Sequence, residues 1–235
     1  MLRVFIGYDE RQPLSYNVAQ FSIIRKSKTP VAITPIIHSQ VSPVRTGLTP
    51  FTFTRFLVPA MCDYDGWALF IDCDVILNAD ITELFDKADD KYSVMVCKGN
   101  APFEHAAVVL MNCKKLKMLT PEFINTENGL HKFKFLSDSE IGDLGKEWGY
   151  LVGYEKDPIN AKLIHYTQGI PAFPETLDSP MAVKWLQEKL LMNYSVPWEE
   201  LMGQSVHATA IDYGTEVRKI PNFVADSMRA RGLIK

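Results

Sequence analysis

Strand, helix and strand succeed one another within roughly the first forty residues, and that order forces a parallel sheet. Arg3–Gly7 is a short β-rich run stopped by a glycine. Pro13–Lys26 sets Leu14, Val18, Phe21 and Ile24 near helical spacing, and Pro13 suits a first helical turn, where its missing N–H costs nothing. Val31–Ile37 is rich in β-branched residues and is interrupted by Pro35. Parallel strands need a crossover, and strand twist makes that crossover right-handed. The fold class predicted is α/β: a Rossmann-like, mainly parallel sheet flanked by helices, with a helical C-terminal tail.

The pattern continues along the chain. Gln40–Pro50 reads as loop, Phe51–Cys62 as a helix carrying Phe53, Arg55, Phe56 and Leu57, and Asp63–Gly66 as a turn. Ile81–Asp86 reads as a short helix, and Tyr92–Cys97, Ala106–Asn112, Leu151–Tyr154 and Ala161–Tyr166 as short strands or apolar runs. After Gln168 the character changes. Gly169, Pro171, Pro174 and Pro180 punctuate a loop, and Ala182–Asn193 follows as an amphipathic helix with Val183, Leu186, Leu190 and Leu191 on one side and Met181 and Trp185 in its apolar stripe. Asn222–Lys235 reads as helical and basic. The expected division is a first domain over 1–173 and a helical appendage over 174–235.

Composition narrows the class. Hydrophobic residues make up 47% of the 235 and charged residues 23%, which excludes a disordered tail protein. A net charge of -3 supplies no basic field, so nucleic acid is not an expected partner. No apolar run approaches the ~20 residues of a spanning helix, and the N-terminus lacks the pattern of a signal peptide. Cys62, Cys73, Cys97 and Cys113 form no CxxC pair, so buried reduced thiols in a cytoplasmic protein are expected. The Arg229, Arg231 and Lys235 end allows a weak attraction to an anionic membrane.

One feature breaks the apolar patterning. The continuous run Trp67–Ile71, the signature of a strand buried on both faces, leads directly into Asp72-Cys73-Asp74. Carboxylates in such a setting are costly unless paired or metal-bound. In extended chain Asp72 and Asp74 share a face, at the carboxyl end of a parallel strand, where open α/β sheets bind ligands. A hard divalent cation relieves their repulsion and leaves positions open for phosphate oxygens. Asp63-Tyr64-Asp65 repeats the spacing beside Gly66 but has no apolar lead-in, and reads as a solvated turn. Among five histidines, His165 stands at the end of an apolar run and before Gly169. It reads either as a third metal ligand or as a hydrogen-bonded core histidine.

Four stretches together resemble the GT-A fold glycosyltransferases, family 8 in particular, the family of glycogenin and bacterial lipooligosaccharide galactosyltransferases. They are Phe5-Ile-Gly-Tyr-Asp9, Phe53-Thr-Arg55-Phe-Leu-Val-Pro, Leu69-Phe-Ile-Asp72-Cys-Asp74-Val and His165-Tyr-Thr-Gln-Gly169. The resemblance spans roughly Arg3 to Phe173. It implies that Asp72 and Asp74 hold Mn²⁺ (or Mg²⁺) against a donor diphosphate, that His165 completes the metal site, and that Gly169 belongs to the same motif. It places Tyr8 and Asp9 at the nucleotide base, Arg55 at the donor, and Asp138 near the transferred sugar and acceptor, with Glu140 the other acidic candidate for catalysis. The implied reaction is metal-dependent, retaining transfer of a hexose from a nucleotide sugar, UDP-linked by analogy, to a glycan, lipid-linked, protein or other hydroxyl acceptor.

Two stretches depart from the family. Ile170-Pro171-Ala172-Phe173 lacks the lysine that contacts the diphosphate, and Glu104-His105-Ala106-Ala107-Val108 replaces an asparagine-small-glycine segment, so His105 either enters the site or packs beside it. For Asp138 and Glu140 a solvated turn capped by Ser137 is the other reading. Two functional alternatives stand: a haloacid-dehalogenase-type phosphatase using Asp72 and Asp74, and a nucleotide-sugar-binding module without catalysis.

Overall fold

Strand β1 (Leu2–Gly7), helix α1 (Pro13–Lys26) and strand β2 (Val31–Ile36) form the expected βαβ start of a sheet, with β1 parallel to β2 and Leu2 opposite Val31. The protein is described by a computed structural model over residues 1–99, 104–155 and 160–205. The α1 helix matches its predicted range, with Pro13 in the first turn and Arg25 and Lys26 in the last, where they complement the helix dipole.

Strand β3 (Trp67–Ile71) lies parallel to β1 on its other side, and Ala68, Leu69, Phe70 and Ile71 have no measurable exposure. It is followed by β4 (Val75–Leu77), β5 (Val94–Val96), β6 (Val108–Asn112) and β7 (Ile141–Asp143). The central sheet runs β2-β1-β3-β6-β5-β7. Only β6 breaks the parallel direction, pairing antiparallel with both β3 and β5. Its side chains are buried at every position, which suits a strand covered on both faces.

A second, smaller sheet was not foreseen in the sequence. Strand β4 pairs antiparallel with β9 (Leu163–His165), which in turn lies parallel to β8 (Tyr150–Leu151). Val75, Ile76 and Leu77, the residues immediately after the acidic pair, therefore leave the main sheet and found another.

Two further expectations need correction. The helix expected over Phe51–Cys62 is a 3₁₀ turn at Thr54–Leu57 followed by α2 (Val58–Met61). Pro59 explains the break, because it lacks the N–H that would continue an α-helical ladder to Arg55. Helices α3 (Thr82–Phe85) and α4 (Pro121–Thr126) are equally short. Helix α5 (Ala182–Met192) occurs as predicted but with a different buried face. Ala182, Trp185 and Glu188 point inward, whereas Val183 and Leu190 are 66% and 72% exposed. Trp185 carries the largest apolar area on the helix and seats against Val18, Ile164 and Tyr166. Glu188 locks that orientation through ion pairs with Arg25 and Lys26 of α1, the latter at 3.1 Å.

The chain forms two compact units, Met1–Asn193 and Tyr194–Lys235. Helix α5 thus belongs to the first unit, and the boundary expected at 173 falls ahead of it. The described part of the second unit contains α6 (Trp198–Met202). The basic helix expected over 222–235, with Arg229, Arg231 and Lys235, lies outside the described residues. No helix among the described residues is long and apolar enough to cross a membrane. All four cysteines are free and buried, as expected.

Candidate metal and donor site

The sheet register gathers the functional residues at one edge. Strands β1 and β3 end together, at Gly7 and Ile71. Val108 of the antiparallel β6 lies opposite Ile71, so the segment Glu104–Ala107 enters over the same edge. The pairing of Val96 with Val109 brings Lys98 there as well.

Asp72 and Asp74 sit just past β3, with side chains 14% and 23% exposed. The small sheet delivers the third residue. Val75 pairs with His165, and the Tyr166 N–H donates to the Asp74 carbonyl at 2.9 Å. One ligand atom from each of Asp72, Asp74 and His165 falls within 4.8 Å of the others. His165 Nε2 stands 3.1 Å from Asp74 Oδ1, and its Nδ1 stands 3.7 Å from Glu104 Oε2. Glu104 also accepts a hydrogen bond from the Thr167 hydroxyl.

Arg55 faces inward. Its Nη1 lies 3.0 Å from Asp72 Oδ1 and donates to the Ala106 carbonyl at 2.6 Å, while Nε donates to the Phe51 carbonyl at 3.2 Å. The guanidinium stacks 4.8 Å from the Phe70 ring centre. Its visible work is to hold Asp72 and the segment before β6.

These surroundings shift two protonation equilibria. Burial is the largest influence on Asp72 and, with Asp74 beside it, outweighs Arg55, pushing its carboxyl up to about 7. Burial alone would depress His165, but Asp74, Asp72 and Glu104 outweigh it and hold the imidazole up at about 9. The first shift reports chiefly burial, the second a group of carboxylates gathered around one imidazole.

The residues present fit a divalent cation. Asp72 Oδ1 and Asp74 Oδ1 are buried without a hydrogen-bond partner, although Arg55 and His165 stand at ion-pair distance from them. Two carboxylates and an imidazole form a donor set suited to Mn²⁺ or Mg²⁺ class ions.

The other predicted residues separate. Asp9 is buried at the end of β1, and Arg11 grips its carboxylate from 2.6 Å, holding it below the usual carboxylate range. Tyr8 packs edge-on against Tyr16. Asp9, Arg11, His38, Gly47 and Pro50 line a pocket of about 390 Å³. Gly7 is required beneath it, because a Cβ there would meet the Phe51 ring at 2.4 Å. Gly169 turns the chain after β9 with φ +117°, a conformation that favours glycine.

Asp138 lines a second pocket of about 470 Å³ together with Lys98, His105 and Lys132. His105 thus borders this cavity, while its Nε2 is buried without a hydrogen-bond partner. Glu140 does not line this pocket. Its carboxylate accepts from the Ser137 N–H at 3.0 Å and from the Ser93 hydroxyl at 3.1 Å, closing a capping box around the turn that presents Asp138.

Sequence reasoning passed over Glu104. Its signal was an acid shortly before the apolar run Ala106–Met111, the counterpart of the Asp72 pattern read from the opposite end.

No family model matches the chain. The chain is 40% identical over 222 residues to Protein CDI of Arabidopsis thaliana, with 79% of this chain and 85% of that protein covered. Among solved structures it superposes on the galactosyltransferase LgtC in complex with donor and acceptor sugar analogs, with a TM-score of 0.59 at 12% identity over 84% of this chain and 98% of that one. It also superposes on the glycosyltransferase GlyE of Streptococcus pneumoniae TIGR4, with a TM-score of 0.59 at 16% identity over 93% of this chain and 67% of that one. These likenesses show a GT-A fold, as the sequence resemblance implied.

Proposed function

The chain belongs to the family of Protein CDI, and on its GT-A fold we propose a metal-dependent glycosyltransferase that moves a hexose from a nucleotide sugar to a hydroxyl acceptor. One observation carries the reading: Asp72, Asp74 and His165 converge within 4.8 Å at the carboxyl edge of the sheet. The fold neighbours favour transfer over the phosphatase alternative, and the intact cluster favours it over a module that only binds.

Asp72, Asp74 and His165 would hold the ion, Mn²⁺ or Mg²⁺. When bound, it supplies Lewis-acid stabilisation of a diphosphate leaving group. Arg55 keeps Asp72 oriented for this task from 3.0 Å. Tyr8 and Asp9, beside the 390 Å³ pocket, are assigned to the nucleoside, with UDP the donor that the family resemblance favours. The turn at Gly169 lets backbone approach the phosphates. Residues 1–173 hold all of these groups.

The bond between the anomeric carbon and the phosphate oxygen breaks, and its electron pair leaves with the diphosphate. The acceptor hydroxyl oxygen forms the new bond, and its proton passes to the departing phosphate oxygen. Retention of configuration is the outcome the family resemblance implies, through an oxocarbenium-like transition state. Asp138 faces the sugar from the second pocket, and Glu140 holds the turn that carries it. The acceptor is a glycan, lipid-linked or protein hydroxyl.

The test is a thermal-shift panel of UDP, GDP and CMP sugars with and without Mn²⁺, followed by nucleotide release. A metal-dependent rise with one donor class is expected, since a ligand that binds only the folded state stabilises it by about 2.7 kcal/mol at a hundredfold excess over Kd. Asp72→Asn and Asp74→Asn should abolish the rise. No stabilisation by any donor, with or without metal, would sink the proposal.

A further inference from the structure

The geometry points to Glu104 as the residue that positions His165, fixing which of its ring nitrogens faces the cation; this inference rests on the metal reading above. His165 is 2% exposed and lies between two carboxylates, Asp74 at Nε2 and Glu104 at Nδ1. A neutral imidazole carries one proton. For Nε2 to offer its lone pair to an ion, that proton must sit on Nδ1, the nitrogen that faces Glu104.

Glu104 and the segment after it are held at three points. One carboxylate oxygen accepts from the Thr167 hydroxyl, two residues beyond His165. The Ala106 carbonyl, two residues further along, accepts from Arg55 at 2.6 Å. The Ala107 carbonyl accepts from the Asp72 N–H at 2.9 Å, and the Ala107 N–H donates back to the Glu104 carbonyl at 3.0 Å. The segment therefore ties the strand that carries Asp72 to the strand that carries His165. At 3.7 Å the Glu104 oxygen stands just beyond hydrogen-bond range of Nδ1. A small ring movement toward it would bring Nδ1–H within hydrogen-bond range of that carboxylate. Carboxylate–histidine–metal chains of this kind set ring orientation and ligand basicity, and losing the outer partner lowers metal affinity about 10–100-fold.

The test uses the full chain without donor, at one fixed pH. Mn²⁺ binding is measured by calorimetry for the wild type, Glu104→Ala, Glu104→Gln, Thr167→Val, His165→Ala and Asp72→Asn. Affinity should fall about 10–100-fold in Glu104→Ala and less in Glu104→Gln, whose amide oxygen still accepts from Nδ1. Thr167→Val should fall between wild type and Glu104→Ala. If Glu104→Ala does not fold, the Gln and Val variants carry the comparison. The decisive signature is the His165 Nδ1 proton in the Mg²⁺-loaded protein, read by nitrogen-15 NMR. It should be present and protected from exchange in the wild type and lose that protection without the Glu104 carboxylate. Wild-type affinity and an unchanged Nδ1 signal in Glu104→Ala overturn the positioning role. Equal loss in the Ala and Gln variants overturns it in favour of direct ligation by Glu104. Unchanged binding in His165→Ala removes His165 from the metal site and this inference with it, whereas the metal reading itself fails only if Asp72→Asn also binds Mn²⁺ as the wild type does.

Discussion

Replacing Arg55 by methionine keeps its aliphatic stem and deletes its charge. The guanidinium is 8% exposed and faces an Asp72 carboxylate that is 14% exposed. Deleting one partner of a buried pair costs about 3–5 kcal/mol, because the remaining charge is stranded. Asp72 has a partial escape, since its carboxyl already titrates at about 7 and Arg55 is what pulls it downward. At pH 6 Asp72 is largely protonated with or without Arg55 and the loss is small; at pH 8 the wild-type carboxylate is charged and paired, whereas the variant, its carboxyl pushed up further, must take up a proton to escape. Arg55→Met should therefore lose about 1.4 kcal/mol more at pH 8 than at pH 6, roughly 3–6 °C of Tm for a chain of this size. Asp72→Asn in the same background should recover much of it. The assay is thermal unfolding of the four proteins of that cycle, metal-free, at pH 6 and pH 8. Mn²⁺ should stabilise the Arg55→Met protein more than the wild type, because the ion replaces the missing positive charge. An unchanged Tm at pH 8, or losses that simply add in the double variant, refutes the reasoning.

Two other outcomes are expected. Asp72 and His165 both have folded pKa values raised above their unfolded ones, to about 7 and about 9, so their stabilisation is fully present at low pH and is lost as pH rises through those values. Metal-free protein should then lose stability from near pH 4 to pH 9 through these two groups, a loss that Mn²⁺ reverses and that urea titrations at stepped pH would detect. Trp185→Ala should cost about 3–5 kcal/mol, as for large aromatic truncations in a core, whereas Leu190→Ser, at a position 72% exposed, should change stability by less than about 0.5 kcal/mol; urea midpoints of the two variants check which face of α5 is inside.

Local pattern determined much of this protein. The opening β1-α1-β2 unit, the buried β3 strand and the placement of Asp72 and Asp74 at its end follow from short-range periodicity and from the cost of carboxylates beside an apolar run. Those signals are contained within a few residues. Tertiary structure decided the rest. The pairing of β4 with β9 joins Val75 to His165 across ninety positions of chain, and no local pattern encodes that partner. The reversed direction of β6 brought Glu104 and His105 to the site edge. On α5 local pattern pointed to the side carrying Val183 and Leu190, yet Trp185 faces inward because its ring and the Glu188 ion pairs with α1 act together. Glu140, equivalent to Asp138 by charge, is separated from it partly by the local capping box with Ser137 and partly by Ser93, which only folding brings near. A sequence declares which residues are costly to bury; the fold determines which of them share that cost with one another.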